Sequence, residues 1–254
     1  MDIQHIMDYL PITYALRQQD VSKTMVDLKL LKEIPLDGSV NQCQGFCYNS
    51  KKDVFVLACI NSENTRQIIY ELDPMTFDIV GTYKFRDANV LAHMNTLTYN
   101  PDTNLLYTTN AMIDGHRITT IDADTMSIGN TITIPERVFN LAYDKKTNQF
   151  MSIVPINATM RRINYYTSQF QLIKSKDIDA NHDDFNNNGA FANDGNIIFA
   201  TLSTVVTVDK TGQVDKISSF PKNLEIEDMD MRNHMMYAAV NRGHTVAIYS
   251  MLNY

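Results

Sequence analysis

One strand-turn-strand unit recurs five times along this chain, and that recurrence constrains the fold more than any single motif. In the clearest copy, Thr96 to Tyr99 supply β-branched and aromatic residues and Asn100 to Asn104 supply turn formers. Leu105 to Thr109 then resume the strand pattern. The same order runs from Gly45 to Leu57, Asn140 to Met151, Gly189 to Phe199 and Asp228 to Tyr237. Each copy carries one anchor: Tyr48, Tyr99, Tyr143, Phe191 and Met231, at successive spacings of 51, 44, 48 and 40 residues. A strand-built period of that length predicts a repeat architecture.

Each full unit also holds a third strand, a short polar turn such as Asp73 to Thr76 or Asp122 to Thr125, and an outer strand. The outer strands begin at Phe77, Met126, Phe170 and Gln213. The fifth unit has only three strands, over 227–231, 235–240 and 245–250, while an unassigned strand-like stretch spans 25–34. Pairing the two closes a ring. The expected fold is therefore all-β, a five-bladed β-propeller over 25–254 whose last blade is closed by the N-terminal strand. A β-sandwich is the competing all-β fold, but it does not require five units of four strands. Residues 1–24 stand apart: Ile3, Ile6, Met7 and Leu10 have helical spacing before Pro11, which predicts a helical or docking segment.

Composition narrows the function classes. A formal charge of -7 over 254 residues speaks against general nucleic-acid binding. The sequence holds no apolar run of about 18 residues, so no membrane helix is expected. The start, Met1 to Asp8, lacks the cationic and apolar regions of a secretory signal. Cys43 and Cys47 on one strand would lie about 13 Å apart, too far to bridge. With Cys59 they read as small buried thiols.

In a propeller the inner strands line the axis, so residues just before the anchors become site candidates. Four before the anchors stand Gln44, Asn95, Asn187 and Glu227; three before stand Asn140 and Asn188; six before stand His93 and Arg137. Such polar groups on buried strands need partners, and together they predict a channel-mouth pocket for a polar ligand. Water in the channel would satisfy the same groups. Asp177, Asp179 and Asn181 match the first oxygen positions of a calcium loop, but His182 replaces the glycine and Asn188 the closing Glu. No two histidines have metal-ligand spacing, and no nucleotide or cofactor fingerprint is present, so no metal or cofactor is expected. His93 with Glu225 or Glu227 is the one acid/base grouping the ring would assemble, and it supports a propeller lyase or lactonase as the alternative to a binding module. Arg137 and the Arg161-Arg162 pair are candidate phosphate contacts.

Two segments carry a resemblance: Gln44-Gly45-Phe46-Cys47-Tyr48-Asn49 and Leu91-Ala92-His93-Met94-Asn95-Thr96-Leu97-Thr98-Tyr99-Asn100. The second is similar to the G-H-A-N-(D/S)-(L/M)-T-Y-N stretch of propeller domains in receptor-binding and minor tail proteins of staphylococcal and related phages. Ala92 stands for the glycine, Met94 for the alanine and Thr96 for the Asp or Ser. The resemblance implies a virion protein among other tail proteins, a homotrimeric assembly, and non-catalytic recognition of a cell-wall glycopolymer such as teichoic acid. It also implies that Gln44, His93 and Asn95 line the recognition face.

Overall fold

The computed structural model describes residues 23–86, 90–110, 115–157, 160–179, 188–201, 204–221 and 224–252. The N-terminal helical or docking segment expected over 1–24 lies outside them up to residue 22. The described chain begins with two strands, β1 (Lys23–Met25) and β2 (Leu28–Pro35). Four-stranded antiparallel sheets follow. Blade 1 is β3 (Gln42–Asn49), β4 (Val54–Ile60), β5 (Arg66–Leu72) and β6 (Ile79–Arg86). Blade 2 is β7 (Leu97–Asn100), β8 (Leu105–Thr109), β9 (Arg117–Asp122) and β10 (Ile128–Thr133). Blade 3 is β11 (Ala142–Asp144), β12 (Gln149–Pro155), β13 (Met160–Thr167) and β14 (Leu172–Asp179). Blade 4 is β15 (Asn188–Asn193), β16 (Asn196–Ala200), β17 (Thr204–Val208) and β18 (Val214–Ser219). Blade 5 is β19 (Glu225–Arg232), β20 (Met235–Arg242) and β21 (Thr245–Met251), completed by β2. The inner strands touch in ring order, β3 to β7, β11, β15, β19 and back to β3. The fold is a five-bladed β-propeller.

The expected closure is present: β2 pairs antiparallel with β21, from Leu28 opposite Met251 to Pro35 opposite Thr245. A second clasp was not legible in the sequence. Strand β1 runs parallel to β18, Lys23 opposite Ile217, so the N-terminal stretch binds the rim of blade 4 before crossing to blade 5.

The hydrophobic core is divided into wedges between neighbouring blades. On β4, Phe55, Leu57 and Cys59 pack toward blade 5, while Val56, Ala58 and Ile60 pack toward blade 2. A strand buried on both faces reads as an unbroken apolar run, as Val54 to Ile60 does. All three cysteines are buried and unbridged within these wedges.

Turn chemistry repeats with the blades. Every inner hairpin turns through a left-handed Asp or Asn: Asp53, Asn104, Asn148, Asp194 and Asn233. Between third and outer strands, Asp73 Oδ1 accepts the N–H of Met75 and Thr76, and Asp122 Oδ1 accepts those of Asp124 and Thr125. Phe77, Met126 and Phe170 follow with positive φ, unfavourable for large side chains. Each is buried in an inter-blade wedge, and that burial offsets the strain.

At the axis the strands approach too closely for ordinary side chains. A Cβ on Gly189 would stand 2.2 Å from Asp228 Cα, and one on Gly45 would stand 2.8 Å from the Leu97 backbone N. Asp228, fully buried on β19, fills the remaining space. Its Oδ2 accepts the N–H of Phe46 (3.0 Å) and Leu97 (2.9 Å), with the Thr96 hydroxyl 3.2 Å away. One carboxylate thus joins the inner strands of blades 5, 1 and 2. Asp228→Ala would strand three buried N–H donors, those of Phe46, Leu97 and Met229, so we expect urea unfolding to show a loss of about 3 kcal/mol or more. Asp228→Asn, which keeps the shape and one acceptor, is expected to lose about half as much. A loss below about 1 kcal/mol for the alanine variant would show that the ring does not depend on this contact.

Candidate functional site

The five anchors converge. Tyr48, Tyr99, Tyr143, Phe191 and Met231 line one cavity of about 170 Å³ on the propeller axis, together with Leu97, Met229 and Asp230. It lies at the hairpin-turn end of the inner strands, where Ser50 and Lys145 stand on turns and Asn193 ends β15. Leu97 and Met229, which line it, donate their backbone N–H groups to Asp228. The carboxylate therefore closes the axis directly behind the cavity.

Three anchor hydroxyls are held by their own hairpins, five residues on. Tyr48 donates to Asp53, Tyr99 to Asn104 at 2.9 Å and Tyr143 to Asn148 at 3.0 Å, with Asp102 a second partner for Tyr143 at 3.1 Å. In each case the acceptor is the left-handed turn residue. The hydroxyl fixes the ring's tilt, and the ring becomes part of the cavity wall. The Arg232 guanidinium locks Asp53 at 2.9 Å and lies over the Tyr48 ring, 5.7 Å from its centroid.

Asp230 is the acidic group of the cavity. It sits two residues beyond Asp228 on β19 and, by strand alternation, faces the same neighbour. Its Oδ2 accepts the Tyr48 N–H at 2.7 Å and its Oδ1 the Met231 N–H at 2.6 Å. Burial pushes its pKa up to about 7, against the lowering effect of those two donors. Burial likewise raises Asp228 well above the usual carboxylate range. No cation pairs with Asp230 among the described residues.

Among the described residues, the candidates chosen from the sequence lie toward the other end of the inner strands. Gln44 and Glu227 occupy the register shifts of β3 and β19, where each strand gains a residue against its partner. Glu227 Oε1 accepts Asn241 Nδ2 at 2.6 Å, and Asn241 in turn holds both the N–H and the carbonyl of Cys43, joining blade 5 to blade 1. Burial raises the Glu227 pKa well above its ordinary value, and Glu225 adds to the effect. His93 bonds Asn64 Oδ1 through Nδ1 at 2.8 Å, its pKa lowered by burial. The residues flanking it, Ala92 and Met94, have positive φ, so this loop favours glycine where Ala92 stands.

Asn95 is half-buried ahead of β7, and its backbone N–H donates to Thr109. Asn140 is fully buried and accepts the Ile153 N–H at 2.9 Å, a structural role within blade 3. Arg137 is exposed and lies over the Phe139 ring at 4.7 Å. Asn188 opens β15, and Asn187 lies outside the described residues. Of the calcium-like run, residues 180–187 also lie outside. Asp177 is taken by a two-pronged ion pair with Arg162, at 2.6 and 2.9 Å. Arg161 is buried and donates to the carbonyls of Asn157 and Met160. No group of three or more His, Cys, Asp or Glu among the described residues is placed to hold a metal.

Choosing polar positions led to one end of the inner strands, and the cavity formed at the other, around the anchors themselves. The signal for Asp230 was present in Asp228-Met229-Asp230, two carboxylates alternating on a strand whose counterparts in other blades carry apolar or neutral residues.

No family model matches the chain, and no curated protein matches it. Among solved structures it is similar to U3-55K, at 8% identity over 89% of this chain and 98% of that one, with a TM-score of 0.51. It is also similar to the RRP9 WD40 repeats, at 9% identity over 89% and 97% of the two chains, with a TM-score of 0.49. Hydrazine synthase of Kuenenia stuttgartiensis matches at 12% identity and a TM-score of 0.48, over 78% of this chain and 62% of that one. At these identities the likeness is one of fold.

The Asp230 titration is linked to stability. A carboxyl raised from 3.8 to about 7 binds a proton in the folded state that the unfolded chain has released, so stability falls as pH rises between those values. Thermal melts are expected to show a falling midpoint across this window, with Asp230→Asn flattening the slope. An unchanged slope in the variant would mean that Asp230 does not titrate there.

Proposed function

We propose that this propeller is a recognition module of a phage tail tip that binds a bacterial cell-wall glycopolymer such as teichoic acid without performing chemistry on it. The observation that carries the reading is the axial cavity, to which four blades each contribute an aromatic ring and the fifth contributes Met231 and Asp230. Aromatic faces accept the C–H faces of sugar rings, and polar groups at their edges take up the hydroxyls. Here Ser50, Asn193, Lys145 and Asp230 are those polar groups. The likeness of the Gln44–Asn49 and Leu91–Asn100 segments to phage receptor-binding propellers supports the same reading, and they fall on or beside the adjacent inner strands β3 and β7. A site in the virion beside other tail proteins follows from it.

The lyase or lactonase alternative required His93 to work with Glu225 or Glu227. His93 is bonded to Asn64 and Glu227 to Asn241, and neither partner is shared. Binding therefore has the better support.

The test is sedimentation of the protein with purified Gram-positive cell walls, before and after removal of teichoic acid. We expect binding to intact walls and at least a tenfold loss on stripped walls. Phe191→Ala, which removes a half-buried ring from the cavity, is expected to weaken binding about tenfold. His93→Ala is expected to leave it within about twofold. Failure to sediment with either wall preparation would overturn the proposal.

A further inference from the structure

Sugar hydroxyls need no buried carboxylate, yet the cavity has one. Asp230 reaches it half-buried, with two backbone donors and no cation among the described residues. Burial pushes its pKa up to about 7, against the lowering effect of those two donors. Around it stand Tyr48, Tyr99, Tyr143 and Phe191, whose ring faces carry partial negative charge. A carboxylate within an aromatic wall presents one chemistry, attraction for a desolvated cation. Arg232 is committed to Asp53 and lies on Tyr48. At the rim, exposed Lys145 supplies a positive charge that appears in no ion pair among the described residues. Asp194 on the same rim is taken by Lys146 at 2.7 Å.

We infer that the axial cavity binds a primary ammonium group carried beside a phosphate, with Asp230 and the surrounding rings taking the ammonium and Lys145 the phosphate. Within the function proposed above, on which this inference rests, that pair of groups is an amino-acyl ester on a polyol-phosphate polymer. It also reconciles a chain of net charge -7 with a polyanionic ligand. Recognition runs through the polymer's cationic substituent, and one lysine meets the neighbouring phosphate.

The experiment measures binding of the full chain to soluble wall teichoic acid with its alanyl esters intact, and to the same polymer after mild alkaline de-esterification. D-alanine methyl ester serves as a monovalent probe, followed by NMR of the tyrosine rings. Intact polymer is expected to bind about tenfold more tightly than de-esterified polymer. Asp230→Asn should abolish that preference, so that the variant binds the two forms with equal affinity. Lys145→Glu should weaken both forms and keep the preference. Because Lys145 is exposed, this variant remains informative if Asp230→Asn does not fold. The methyl ester should shift the ring signals of Tyr48 and Tyr143 and compete with intact polymer.

Equal affinity for the two polymer forms, or a preference that survives Asp230→Asn, would overturn the inference and leave glycopolymer recognition standing. Absence of binding to either form would overturn the function proposed above. The methyl ester titration then decides the ammonium site by itself: ring shifts lost in Asp230→Asn support it, and no shifts sink it.

Discussion

The architecture depends on how one buried carboxylate is satisfied. A five-bladed ring brings its inner strands so close that glycine is required at Gly45 and Gly189, and the two-stranded contacts there leave backbone N–H groups pointing at the axis. Those donors belong to different blades and have no ladder partner on that side. Asp228 supplies one acceptor to Phe46 and Leu97 together, and those donors offset part of the cost of burying its carboxyl. Asn241 repeats the device one level away, holding Cys43 on the next blade and Glu227 on its own. Joining blades through side chains rather than ladders lets each sheet keep its own twist while the ring stays closed.

The same economy explains why the anchors look conserved in type along the chain while serving two purposes. A tyrosine hydroxyl bonded to the left-handed residue of its own turn fixes the hairpin, and the same residue lines the cavity. Blades 4 and 5 dispense with the hydroxyl. Phe191 is followed by the Asp194-Gly195 turn, whose N–H groups are held instead by Asp144 of blade 3. Arg232 ties the blade 5 turn to Asp53 of blade 1. Turn stability is local in three blades and borrowed from a neighbour in two. The cavity is consequently rigid in its walls without needing five identical residues.

Much of this was legible in the sequence because propeller blades impose strong local signals. The two-faced burial of β4, the Asx turns and the orphan strand at 25–34 are consequences of one backbone plan, and each leaves a residue-type signature. Strand β1 left none. Three residues, Lys23-Thr24-Met25, in parallel pairing with a rim strand carry too little pattern to separate from a loop. The site was harder to read for a different reason. Polar residues on buried strands mark places where partners are needed, and here most of those partners are intramolecular: Asn140 with Ile153, Glu227 with Asn241, His93 with Asn64. The residues gathered round the cavity were the anchors, which the sequence presented as structural.

That reversal has a physical basis. A polar group satisfied within the protein has little capacity left for a ligand, whereas a ring fixed at its edge still offers its face. Of the two acidic residues that β19 sends toward blade 1, Asp228 is enclosed by donors from three strands and belongs to the frame. Asp230 has two donors and lies at the cavity, where burial pushes its pKa up to about 7 and no cation among the described residues pairs with it. Two residues of strand, about 7 Å, separate a carboxylate that completes the fold from one that the fold leaves incomplete. It is the second kind of group that a ligand can complete, and its charge specifies what that ligand must carry.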